Sequence, residues 1–151
     1  MRVAVAADHA GFPYKAAMIQ ALQQDGHVVT DLGADSTAPA DYPDYAQAIG
    51  ATVRDGHADA GVIICGSGAG VSIAASKFPG IRAAVCHDTY SAHQAVEHDD
   101  MNVLCLGARV IGPALALDVV TAFLGARFSA EERHQRRLNK INAIESRFAR
   151  T

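Results

Sequence analysis

The sequence predicts an α/β fold: a three-layer α/β/α sandwich on a doubly wound, five-stranded parallel sheet, followed by a C-terminal helix. Three observations carry that expectation. Five short apolar runs alternate with longer helix-like segments, with no internal repeat and no low-complexity linker between them. The first and third runs (V-A-V-A-A and A-G-V-I-I-C) are almost continuously apolar and read as buried strands. Four run ends then carry polar or glycine chemistry: Asp8-His9, Cys65 to Gly70, His87-Asp88 and Gly107 to Arg109. Ligands in an open α/β sheet sit at the carboxyl ends of the strands, so this asymmetry points to an enzyme.

Each element has a local reason. Arg2 to Ala7 reads as the first buried strand. A-G-F-P-Y-K opens a helix that tolerates Pro13 in its first turn, and Asp25-Gly26 stops it. His27 to Leu32 is β-branched and reads as strand two. Gly33 to Tyr42 is polar and turn-rich, an exposed loop able to lie over a site. A second helix runs from Pro43 to about Arg54. Ala60 to Cys65 is strand three, followed by a glycine loop and a helix from Ala69 to Lys77. Ile81 to Cys86 is strand four, with a helix from Thr89 to His98 behind it. Asn102 to Leu106 is strand five, and a helix follows from Pro113 to Leu124. Ser129, with Glu131 and Glu132 in the next turn, caps a last helix to about Arg147.

Composition bounds the function. A chain of 151 residues that is 50% apolar and 19% charged reads as one domain, residues 1–151, with a real core. A net charge of −3 gives no general attraction for nucleic acid or an anionic membrane. The basic residues are uneven, with Arg127, Arg133, Arg136, Arg137, Lys140, Arg147 and Arg150 crowding the last quarter. No apolar run approaches the roughly 20 residues that span a bilayer, and the N-terminus does not read as a signal peptide. The 3 cysteines, an odd number without close spacing, argue for a reducing compartment and a cytoplasmic protein.

The chemistry concentrates in G-V-I-I-C-G-S-G-A-G-V-S-I-A-A-S-K, residues 61–77. Gly66, Gly68 and Gly70 give G-x-G-x-G, whereas the dinucleotide fingerprint needs G-x-G-x-x-G. Asp88 falls about 20 residues on, where a ribose-binding acid would stand, so a dinucleotide is disfavoured and stays open. No G-K-[ST] closes a P-loop. The remaining functional reading is a nest of backbone N–H groups holding an oxyanion or phosphate; the bland one is a tight strand-to-helix turn. Cys65 ends a strand beside a helix N-terminus, where a thiolate is stabilised, while Cys86 and Cys105 read as small core hydrophobes. Ser67 is placed to relay a proton.

The 7 histidines show no metal-binding spacing, and His93 and His98 do not share a helix face. His27 and His57 follow glycines and read as surface residues. His9 at a strand end and His98 at a helix end are the candidates for acid–base work. Arg133 and Arg137 share a helix face, either as a solvated basic surface or as a phosphate clamp.

Six motifs in order carry a resemblance over nearly the whole chain: A-A-D-H-A-G-F (6–12), D-Y-P (41–43), C-G-S-G-A-G-V-S-I-A-A-S-K-F-P-G-I-R (65–82), E-H-D-D-M-N-V-L (97–104), G-A-R-V-I-G (107–112) and R-H-Q-R-R (133–137). With them the chain resembles the ribose-5-phosphate isomerases of type B, in the wider group that includes galactose-6-phosphate isomerase subunits. The resemblance implies a Rossmann/flavodoxin-like sheet and an aldose–ketose isomerase working through a cis-enediolate, with no cofactor and no metal. It implies that Cys65 shuttles a proton between C2 and C1, assisted by Ser67, and that the N–H groups of Gly66, Gly68, Ala69 and Gly70 hold the enediolate. Asp8, Tyr42 and Asp99 look like sugar contacts. His98 looks like the ring-opening group, and His9, Arg109, Arg133 and Arg137 look like phosphate ligands. It also implies a homodimer or dimer of dimers, with His98 and Asp99 approaching a neighbour's Cys65 loop.

Two departures refine the resemblance. One branch of the family places a glutamate base just after the last loop glycine; here that position is Val71, and Cys65 is present, which indicates the cysteine branch. Asp99 stands where the family usually has Asn. An ionised carboxylate only accepts hydrogen bonds, so the sugar stays open among pentose, tetrose and hexose phosphates (allose or galactose type). The rival from another class is a non-catalytic sugar-phosphate or nucleotide-binding module, which has no use for a thiol at the lip of an anion hole.

Overall fold

A computed structural model describes residues 1–149; Arg150, the last of the basic residues named above, lies outside them. The elements follow the order β1 (Arg2–Ala7), α1 (Phe12–Gln24), β2 (Val28–Asp31), α2 (Tyr42–Arg54), β3 (Ala60–Cys65), α3 (Ala69–Ala75), β4 (Ala83–Val85), α4 (Thr89–Asp99), β5 (Val103–Gly107), α5 (Pro113–Gly125) and α6 (Glu132–Phe148). The five strands form one sheet in the order β2-β1-β3-β5-β4, every pair parallel.

The pleat explains why the three central strands read as unbroken apolar runs. Val3, Val5, Val62, Ile64, Leu104 and Leu106 point to one face, under α1, α4 and α5. Ala4, Ala6, Ile63, Cys65, Val103 and Cys105 point to the other, under α2 and α3. Both faces are covered, so the alternation of a half-exposed sheet is absent. Truncating Ile63 or Ile64 to Ala would cost about 2–5 kcal/mol. The edge strands are shorter and more exposed. Val28 on β2 is 67% exposed, and β4 is only three residues long.

Chain order reverses between β1 and β3, which lie side by side with β2 beyond one and β5 beyond the other. That switch point opens a crevice at the carboxyl ends of β1 and β3, where Asp8 and Cys65 emerge.

Several expected boundaries move, most by a single residue, as where β5 exchanges Asn102 for Gly107. Strand four is shorter than Ile81 to Cys86 because the Arg82 N–H is taken by the Asn102 side chain (2.8 Å). The helix after the glycine loop ends at Ala75, since the N–H groups of Lys77 and Phe78 reach back only three residues. Strand two loses His27 and Leu32. Ser129 does not cap the last helix. Its own N–H donates to Glu97 O (3.0 Å), its Oγ meets His134 Nδ1 (2.5 Å), and Glu131 takes the cap position.

Candidate active site

At the carboxyl end of β3 the chain turns through Gly66, Ser67 and Gly68 into α3. Gly68 sits at φ +82°, and a Cβ there would lie 3.0 Å from the Leu106 carbonyl carbon, so the turn demands glycine twice over. This tight turn brings the Gly68 N–H to 3.0 Å from Cys65 Sγ. A thiol 4% exposed therefore receives a backbone N–H, the kind of donor that stabilises a thiolate. Ser67 Oγ accepts the Ala69 N–H (3.2 Å), which leaves its own proton free to donate. Among the described residues the N–H groups of Gly66, Ser67 and Gly70 find no intramolecular acceptor. These are the orphan donors of a helix start. With α3 only two turns long, they act as individual donors more than through a dipole.

Around this loop lies an open hollow of about 350 Å³ lined by Asp8, Tyr42, Cys65, Gly66, Ser67, Gly70, Arg109 and Val110. Asp8 is 6% exposed, and its Oδ1 accepts the Ala10 and Gly11 N–H groups (2.9 and 3.0 Å), so its carboxylate is aimed rather than mobile. The Tyr42 ring lies on Gly70, where a Cβ would meet it at 2.8 Å. The backbone of Arg109 bonds to Gly66 O (3.0 Å), and its side chain packs against Gly66. His9 stands beside Asp8, and its Nδ1 accepts the Ala40 N–H (3.2 Å). A neutral ring in that tautomer offers Nε2–H as a donor. The same bond ties the Gly33–Tyr42 loop to the site. Lys15, 4% exposed, holds the start of that loop through Asp31 Oδ1 (2.7 Å) and the Ala34 carbonyl.

The remaining candidates lie elsewhere. His98 and Asp99 end α4, five and four residues before β5 begins, whereas Cys65 pairs with Gly107 at the far end of β5. The length of β5, about 13 Å, separates the two groups within one chain. The His98 ring stacks on His134 with centroids 4.0 Å apart, and its Nδ1 contacts Gln94 Nε2 (3.0 Å). His134 is 2% exposed and bonded to Ser129. Burial, then the neighbouring His98 and Arg133, hold the His134 pKa below that of a free histidine. Arg133 and Arg137 stand near this pair on α6. Arg133 bonds to Glu131 (3.3 Å), and Arg136 turns away to Glu132 (2.6 Å).

His134 and His87 are site neighbours that the sequence reading counted without assigning. Their roles come from tertiary contacts that no local spacing encodes. Asp88 accepts the Ser91 N–H (2.6 Å) and caps α4, which pulls its pKa below the ordinary carboxylate value and occupies the acid a ribose would need. Of the two histidines read as surface residues, His57 is exposed, but His27 is half-buried with Nδ1 unpartnered. Among the described residues no cluster of three or more His, Cys, Asp or Glu is arranged to hold a metal. No helix among them is long and apolar enough to cross a membrane. In a smaller cavity of about 150 Å³ at the opposite end of the sheet the carboxylates are already paired, Asp59 with Arg2 and Asp100 with Arg82, and Arg127 donates to the Leu124 and Ala126 carbonyls.

The family model described as Ribose/Galactose Isomerase matches residues 3–141. Ribose-5-phosphate isomerase B of Escherichia coli (strain K12) is 45% identical over 146 residues, covering 97% of each chain. D-erythrulose-4-phosphate isomerase of Pectobacterium atrosepticum is 43% identical over 129 residues, 85% of each chain. The solved structure of ribose-5-phosphate isomerase B from Clostridium thermocellum superposes with a TM-score of 0.95 at 42% identity, covering 99% of this chain and 100% of that one. The chain belongs to the ribose/galactose isomerase family.

Proposed function

We propose that residues 1–151 form a single sugar-phosphate isomerase domain, an intramolecular oxidoreductase that interconverts ribose 5-phosphate and ribulose 5-phosphate in the cytoplasm. The observation that carries this reading is the Cys65 thiol held by the Gly68 N–H at the edge of a hollow with unpaired loop donors. The family and its ribose-5-phosphate isomerase relatives support the substrate.

The chemistry follows from what these groups offer. In the open-chain aldose, the Cys65 thiolate removes the C2 proton. The C–H pair becomes the C1–C2 π bond, and the carbonyl pair moves onto O1. Negative charge then develops on the two enediol oxygens, where the N–H groups of Gly66, Ser67 and Gly70 meet it. Cys65 returns its proton to C1, C2=O2 forms, and the O2 proton passes to O1 with Ser67 relaying it. C1 is reduced, C2 is oxidised, and nothing is added or lost. The phosphate end serves as an anchor whose binding energy aligns the reacting carbons.

His98 opens the furanose ring by proton transfer, and Asp99, Arg133 and Arg137 contact the sugar and phosphate. In one chain these groups lie at the wrong end of β5 for Cys65, so the working unit is a homodimer or a dimer of dimers. Each site then takes its Cys65 loop from one subunit and the His98–Arg137 cluster from the other.

A second reading, a tetrose phosphate, has two specific supports. The Pectobacterium relative acts on D-erythrulose 4-phosphate by its name, and Asp99 is an acceptor-only side chain in the sugar site. Assaying four-, five- and six-carbon sugar phosphates separates the two. The ribose reading expects kcat/KM highest for the five-carbon pair by at least tenfold, and a larger value for the tetrose would replace it. Asp99→Asn, which restores a donor, is expected to change the pentose-to-tetrose ratio by about tenfold, the worth of one hydrogen bond to a sugar hydroxyl.

A further inference from the structure

The end of β4 carries a histidine for which the isomerase chemistry has no use. The β4–β5 ladder stops at Val85–Cys105, so the Gly107 N–H two residues on faces no strand carbonyl. His87 Nε2 accepts it at 2.9 Å. An imidazole accepting at Nε2 is neutral and carries its proton on Nδ1.

Gly107 is a sensitive place to hold. It pairs in register with Cys65 on β3. A Cβ on it would lie 2.7 Å from the carbonyl atoms of Ser67, so the loop rests directly on its backbone. The next two residues fasten the same loop from the other side. Ala108 N–H donates to Cys65 O (2.8 Å), and Arg109 N–H donates to Gly66 O (3.0 Å). The residue held by His87 thus lies against the backbone of the loop that carries the thiol and the hydroxyl.

We propose that His87 is a positioning residue. By accepting the Gly107 N–H, it extends the sheet past the end of β4 and sets the height of the Cys65–Ser67 loop against the substrate carbons. It touches no substrate, and it acts through backbone atoms only. Its effect on turnover rests on the isomerase reading; its effect on the thiol does not.

Two variants separate this role from plain stability. His87→Gln keeps an acceptor oxygen near the Nε2 position, while His87→Leu keeps bulk and loses the acceptor. The Leu variant is expected to lose about 10- to 100-fold in kcat, the scale of an ångström misplacement, with KM rising less than threefold. The Gln variant keeps at least half of kcat, and both melt within a few degrees of the parent. Alkylation of Cys65 by iodoacetamide, located by peptide mass, runs at least threefold faster in the Leu variant and unchanged in the Gln variant. The alkylation arm stands even if the parent isomerises no sugar phosphate, so a wrong substrate and a wrong role for His87 give different results. Equal losses in both variants, losses that follow melting temperature, or unchanged alkylation in the Leu variant would overturn the proposal.

Discussion

The two ends of the sheet are built differently. At the carboxyl end, the polar groups are held by the backbone. Cys65 takes the Gly68 N–H, Asp8 takes those of Ala10 and Gly11, and His9 takes that of Ala40. At the amino end, side chains hold each other: His98 on Gln94 and His134, His134 on Ser129, Arg133 on Glu131. Backbone-held groups are fixed by the same turns that end the strands. Of the side-chain-held groups, His134 is buried, His98 is half-buried at the end of its helix, and Arg133 is exposed. Under the proposed function, the first end would serve proton transfer and the second would bring an anion across a subunit interface.

The three cysteines repeat the contrast on a smaller scale. Burial pushes the Cys86 and Cys105 thiols up, with Asp88 and Cys65 respectively adding to it, so both stay protonated and inert in the core. Cys65 is as buried as Cys86, yet it alone ends beside a strand-to-helix turn whose N–H reaches the sulfur. Position on the sheet, more than burial, gives Cys65 surroundings that differ from those of the other two thiols.

The largest expected effect breaks the carboxyl end. Cys65→Ala is expected to lower kcat by about 10²–10⁴-fold, the worth of a general base, while isothermal titration still detects the sugar phosphate. Near-parental turnover would remove Cys65 from the mechanism. The next effect falls on the amino end. Arg137→Ala is expected to raise KM by about tenfold or more and change kcat little, since a remote phosphate contact contributes mainly uniform binding. An unchanged KM would reduce Arg133 and Arg137 to a solvated surface.

The smallest effect tests the buried His134. His134 in the fold has a pKa below the ordinary value of about 6.5, so the unfolded chain binds that proton first as pH falls. Its contribution to stability is complete above about 6.5 and is lost as pH drops toward the folded value. Melting temperatures measured from pH 7.5 to 5 are expected to fall, and His134→Gln is expected to flatten that slope. An equal slope in the variant would place the acid sensitivity elsewhere.

How much of this was legible in the sequence follows from range. The Gly61–Lys77 junction was readable because strand, thiol, glycines and helix are consecutive, and the fold then brings Asp8, Tyr42 and Arg109 to it from other strand ends. His134 and His87 were not, because each acts through a residue at least 20 positions away. Ser129 misled for the same reason: a good capping residue by type has its N–H drawn to the Glu97 carbonyl, 32 positions back. The separation of His98 from Cys65 follows from chain direction. A helix returning from one parallel strand to the next must finish at the amino end of the sheet.

The central claim is that one site needs both ends, supplied by two chains. Mixing Cys65→Ala with His98→Asn, each inactive alone, and allowing the subunits to exchange tests it directly. In a mixed dimer with shared sites, one site inherits both changes and the other inherits neither. The account predicts recovery of about a quarter of parental activity in a 1:1 mixture, half the dimers being mixed and half their sites intact. Activity that stays at the level of the two separate variants would contradict it.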